Sequence, residues 1–91
     1  MIARFRAKAG KEDALKNVLL TLVAPTRREI GCYQYDLLQG HKNPGDFCFV
    51  ERWDTERALE QHLSSEHVKK ALTDAADLIE GPADGGRYAI V

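Results

Sequence analysis

Four consecutive apolar residues, Phe47-Cys48-Phe49-Val50, lie inside the stretch Asp46–Trp53. In an extended strand, neighbouring side chains point to opposite faces, so this run puts apolar groups on both sides of a sheet. Such a strand cannot leave one face in water. The chain has 91 residues, enough for one small core that is helped by self-association. Helices of the same chain should therefore cover one face, and a second subunit should cover the other. Hydrophobic residues make up 44% and charged residues 30%, a globular balance that excludes disorder. No apolar run approaches the roughly 18–20 residues of a membrane span. The opening Met1-Ile2-Ala3-Arg4-Phe5-Arg6 lacks the apolar stretch of a secretory signal. A net charge of −1 argues against a large nucleic-acid footprint. The expectation is a single cytoplasmic domain over residues 1–91, with neither nucleic acid nor membrane as a partner.

Hydrophobic period sets the element order. Met1 to Lys8 alternates, with Ala3, Phe5 and Ala7 on one face and Arg4, Arg6 and Lys8 on the other. After Gly10 the period becomes helical, and Leu15, Val18, Leu19, Leu22 and Val23 form one stripe. Pro25 should kink or end this helix, and Gly31 should stop its last turn, leaving Arg27, Arg28 and Glu29 as a solvated helix end. Cys32–Gln39 is the second strand, Gly40 to Gly45 a turn, and Asp46–Trp53 the third strand. Asp54 or Thr55 can cap a short helix carrying Ala58, Leu59, His62 and Leu63. Ser64-Ser65 interrupts it and can cap another, with Val68, Ala71, Leu72, Ala75, Leu78 and Ile79 on one face. Gly81-Pro82 ends that helix, and Arg87 to Val91 reads as the last strand. Strand, helix, strand, strand, helix, strand is the split βαβ, ferredoxin-like α+β arrangement. Burying about 600 Å² of apolar sheet against a partner would return roughly 15 kcal/mol gross, so a two-fold homodimer is expected.

The two cysteines do not form a scaffold. In a hairpin around Gly40 to Gly45, Cys48 falls opposite about Leu37, so the sulfurs of Cys32 and Cys48 stand on the order of 15 Å apart. That is beyond disulfide reach, and two free thiols in a reducing compartment are expected.

Several segments carry a resemblance. Gly31-Cys32-x-x-Tyr35, Phe47-x-Phe49-x-Glu51-x-Trp53 and Ala58-Leu59-x-x-His62-Leu63-x-x-x-His67 stand with Gly10 before the first helix and Thr26-Arg27-x-Glu29 at its end. This pattern resembles the antibiotic biosynthesis monooxygenase domain, a family that includes small quinol monooxygenases and anthrone oxygenases. The resemblance implies a dimeric α+β barrel with a cavity between sheet and helices, and oxygenation of an electron-rich aromatic with O2 and no cofactor. Other members degrade haem or isomerise a phosphorylated sugar, and fold alone does not choose among such activities. Haem-degrading relatives have a tryptophan where this chain has His62, an axial histidine where it has Leu72, and a first-strand asparagine, whereas the first asparagine here is Asn17.

His62 and His67 are the candidate catalytic bases, because imidazole titrates near neutral pH. Five residues apart across a helix break, they lack the i, i+4 spacing of paired helical metal ligands, so no metal site is expected. Trp53 and Tyr35 are candidates to hold a planar ring, and Arg4 a candidate to stabilise an oxyanion if it faces the cavity. Glu51 inside an apolar strand needs a partner; it could orient a histidine, pair with Arg4 or Arg52, or bind across the dimer. His41 belongs to a solvated turn, and Phe5 and Phe49 to the core. Two other readings stand beside the oxygenase: an isomerase of a small carbonyl compound, phosphorylated or not, and a non-catalytic dimeric ligand-binding domain.

Overall fold

The computed structural model describes residues 1–91. The elements run β1 (Ile2–Arg6), α1 (Glu12–Leu20), α2 (Val23–Arg27), β2 (Cys32–Gln39), β3 (Asp46–Trp53), α3 (Glu56–Leu63), α4 (Glu66–Ala75) and β4 (Asp84–Gly86). The strands form one antiparallel sheet in the order β2-β3-β1-β4, the expected ferredoxin-like α+β fold. No helix is long and apolar enough to cross a membrane.

β3 is paired on both sides. Leu38 lies opposite Cys48, one residue from the expected register, and both cysteines are free thiols. Phe47, Phe49 and Glu51 point inward and are buried, while Cys48 and Val50 point to the outer face. The inner face meets Leu15, Leu19 and Leu22 from the first helical region and Val68, Ala71 and Ala75 from α4. Phe49 stacks on Tyr35 at 4.6 Å and meets the edge of Phe5 at 6.2 Å. The two capping expectations hold: Thr55 Oγ1 accepts from the N–H of Ala58, and Ser65 Oγ from that of Val68. Pro25 does not break a helix midway. The break falls at Thr21-Leu22, and Pro25 takes the first turn of α2, where its missing N–H costs nothing.

Two boundaries differ from the sequence reading. α4 stops at Ala75, so Leu78 and Ile79 are not helical; Ile79 bridges Ala7, Lys8 N–H donates to Leu78, and Glu80 N–H donates to Arg6. The last strand is Asp84–Gly86, not Arg87 to Val91. The reason is register. Residues 78–80 already occupy the end of β1, and Arg4 pairs with Asp84 and Ile2 with Gly86. Arg87 then comes level with Met1, and the β-prone residues after it run past the start of β1.

Gly31 shows why one turn is specified. It sits at φ 88°, and a Cβ there would meet Ala58 Cβ at 2.8 Å and the carboxylate of Asp54 closer still. Its carbonyl also accepts from the N–H of Asp54. Gly31→Ala should therefore lower unfolding free energy by about 2 kcal/mol or more, measured by urea titration; unchanged stability would mean that the α2–β2 turn relaxes freely.

Candidate active site

α3 ends with His62 pointing into the core, 2% exposed. Two carboxylates flank its ring. Nδ1 lies 2.6 Å from Glu29 Oε2 on one side, and Nε2 lies 3.8 Å from Glu51 Oε1 on the other. His67, in the first turn of α4, brings Nε2 to 3.0 Å from the same Glu29 oxygen. An ionised carboxylate has no proton to give, so His62 Nδ1–H and His67 Nε2–H donate to Glu29. A neutral His62 ring then carries its lone pair on Nε2, the atom that faces Glu51.

Glu51 is buried among apolar groups, and its Oε1 accepts a 3.0 Å hydrogen bond from the indole N–H of Trp53. Burial pushes its pKa above the usual carboxylate range, against the lowering effects of the Trp53 hydrogen bond and of His62. The Trp53 ring lies 4.8 Å from that of His62, and the Tyr35 ring approaches His62 edge-on at 5.4 Å. Burial, followed by the charge of Glu51, pushes the Tyr35 phenol far above its ordinary value. Tyr35 therefore stays neutral.

A cavity of about 150 Å³ opens between the sheet and α3–α4. Phe5, Leu22, Phe49 and Val68 supply apolar wall, and Tyr35, Glu51 and His62 supply polar groups. Leu63 and Leu72, both partly exposed, stand at its side. No lysine or arginine lines it.

The structure sorts the expected site residues. His62, Glu51 and Tyr35 share the cavity. His67 does not line it and reaches the site only through Glu29. Trp53 also lies outside its lining; it packs on His62 and holds Glu51, and faces a separate hollow beside Arg87 and Tyr88. Arg4 is not brought to the site. It is exposed on the outer sheet face, beside Arg6, Leu38 and Cys48, because alternation that buries Phe5 must turn Arg4 the other way. Glu51 pairs with neither Arg4 nor Arg52.

Glu29 is the residue that the sequence reading placed elsewhere. It is not a solvated helix end: its side chain is 18% exposed and receives both histidines. The signal was its place in Thr26-Arg27-x-Glu29, two residues before the left-handed Gly31. Arg27 is likewise tied down, donating to the Tyr35 carbonyl and to Asp36.

The position of Glu51 makes a stability prediction. A carboxyl whose pKa is raised on folding favours the fold below its unfolded pKa, and that advantage is lost as pH rises through the folded value. Glu51→Gln keeps an acceptor for Trp53 and removes the buried charge. It should raise Tm at pH 7, with the gain shrinking as pH falls toward 4. A Tm difference independent of pH would show that Glu51 does not titrate across folding.

Comparison with known proteins bears on the family and the fold. The model of the family described as "Antibiotic biosynthesis monooxygenase" matches residues 1–74. The chain is 32% identical over 82 residues to "Putative monooxygenase Rv0793" of Mycobacterium tuberculosis, covering 90% of this chain and 80% of that protein. It is 27% identical over 82 residues to "Putative monooxygenase YcnE" of Bacillus subtilis, covering 90% and 86%. The crystal structure of PA3566 from Pseudomonas aeruginosa superposes with a TM-score of 0.84 at 37% identity, over 97% of this chain and 91% of that one. With a family match over most of its length and the fold to accompany it, the chain belongs to the antibiotic biosynthesis monooxygenase family.

Proposed function

We propose that this protein is a monooxygenase of small electron-rich phenols, in particular single-ring quinols, with His62 as the base. Family membership and the names of its relatives support monooxygenase-like activity. The observation that carries the finer reading is the buried imidazole of His62, held by Glu29 on one nitrogen and presenting the other beside Glu51 in a largely apolar cavity.

The chemistry follows from that arrangement. Triplet O2 reacts slowly with a neutral singlet molecule, but a quinolate can pass it one electron. His62 Nε2 takes the phenolic proton, and Glu29 stabilises the resulting imidazolium. Electron transfer leaves a semiquinone radical and superoxide, whose recombination forms a ring carbon–oxygen bond. The peroxide regains a proton from His62. Loss of the ring C–H proton with O–O cleavage then gives a hydroxyquinone, and the departing hydroxide leaves as water. Quinol plus O2 becomes hydroxyquinone plus water, and the substrate supplies every electron.

Size favours one ring. An apolar cavity of about 150 Å³ accommodates benzene, and the cavity here is about 150 Å³. A three-ring anthrone would have to extend through the cavity's open side. No lysine or arginine lines the cavity to pair with a phosphorylated isomerase substrate.

The same reading includes a homodimer packed on the outer sheet face. Leu38 is opposite Cys48, and Ile2 opposite Val50, so these four form an apolar patch on that face. Leu38→Glu should shift light-scattering mass from dimer to monomer; an unchanged mass would place the contact elsewhere.

Oxygen uptake by metal-stripped protein tests the activity. Single-ring quinols should be turned over above their spontaneous rate, and anthrones much less. His62→Ala should lower kcat by roughly 10²–10⁴-fold. Glu29→Gln should lower kcat with KM little changed, because Glu29 lies outside the cavity lining. Uptake unaffected by His62→Ala would remove the proposed base.

A further inference from the structure

Glu29, His62 and His67 do more than form a hydrogen-bonded chain. Glu29 Oε2, His62 Nδ1 and His67 Nε2 all lie within 4.8 Å of one another. The three arrive from separate places: the turn before β2, the end of α3 and the first turn of α4. The helix break at Ser64-Ser65 makes the convergence possible, since two histidines five apart on one straight helix would diverge. We propose that these three atoms bind one divalent transition-metal ion of the zinc class, and that its occupancy switches off the base.

The donor set fits such an ion. Two imidazoles and one carboxylate suit Zn2+ or Co2+, whereas Mg2+ and Ca2+ favour all-oxygen sites. In a tetrahedral site, bonds of about 2.0–2.2 Å place neighbouring ligand atoms roughly 3.3–3.6 Å apart. His67 Nε2 stands 3.0 Å from Glu29 Oε2 and His62 Nδ1 2.6 Å from it, so coordination opens the first separation by about 0.3 Å or more and the second by about 0.7 Å or more. The ion replaces the two hydrogens that now point at Glu29. His62 Nε2 faces the Glu51 carboxylate at 3.8 Å, and a small approach would make Glu51 the hydrogen-bonded outer partner that metal-bound histidines commonly have. The side chains of His67 and Glu29 are 28% and 18% exposed, so the ion can arrive from solvent and keep water on its open side.

Tautomerism gives the functional consequence, and this half rests on the proposed role of His62. A metal takes the Nδ1 lone pair, so the remaining ring hydrogen must sit on Nε2. Nε2 is the atom that would accept the substrate proton. A metal-bound His62 has no lone pair left for it.

The test begins with Co2+ titration of chelator-treated protein, followed by visible ligand-field absorption, and with Zn2+ calorimetry. One ion per chain should bind, with Mg2+ and Ca2+ not competing. Glu29→Ala, His62→Ala and His67→Ala should each weaken binding by at least tenfold, and Glu51→Gln by about tenfold. His67→Asn, with circular dichroism matching the parent, separates lost ligation from lost folding. His41→Ala should leave binding intact. No saturable Co2+ spectrum, or one that survives the Glu29 and His67 changes, would overturn the site. Zn2+ should also abolish quinol-dependent oxygen uptake, and a chelator should restore it. Full uptake with the site loaded would overturn the switching half. Absence of uptake in metal-free protein, with Co2+ binding as expected, would sink the monooxygenase reading while leaving the metal site standing.

Discussion

The pairing of β3 on both sides underlies everything else in this protein. Because β1 and β2 both hydrogen-bond to it, its inward residues lie at the centre of the sheet, beneath the helices. Phe47 and Phe49 use that position to build the core. Glu51 uses it to put a carboxylate where water is scarce. The strand that stabilises the fold therefore also supplies the site's most costly group.

The cost is offset locally. Trp53, two residues further on the same face, donates to Glu51, and His62 packs between Trp53 and Tyr35 with its other nitrogen on Glu29. Glu29, His62, Glu51 and Trp53 thus contact one another in sequence, so the imidazole is held in one orientation. Preorganisation of this kind suits the base proposed for His62, since little rearrangement is needed when a proton moves. It also explains why one oxygen of Glu29 can serve two histidines. The α2–β2 turn and the α3–α4 break bring their residues to the same point.

Much of this was legible from residue order. The periods of Met1–Lys8, Cys32–Gln39 and Asp46–Trp53 identified three strands, and Thr55 and Ser65 marked the helix starts through a known capping chemistry. His62, Glu51 and Tyr35 could be selected because each is a polar or aromatic group in an apolar pattern. Glu29 could not be selected in that way. Beside Arg27 and Arg28 it reads as a charged helix end, and only the path of α3 shows that it meets two imidazoles. Arg4 shows the reverse: its charge suggested a role, while the alternation that buries Phe5 excluded it from the cavity. Trp53 stands out as the one tryptophan on β3, and the tertiary structure shows that its N–H serves Glu51.

The amino-acid order by itself determined the local structure, the need to cover both faces of β3, and the family pattern in which His62 and His67 stand. The first two follow from backbone preference and hydrophobic period, which act over a few residues, and the third from residue identity at matching positions. Tertiary structure alone decided that Glu29 joins the histidines, that β4 pairs at Asp84–Gly86, and that a small cavity opens between the sheet and α3–α4. Those outcomes depend on where distant segments meet in space. The register on β1 and the angle at Ser64-Ser65 set that meeting, and no local period encodes either.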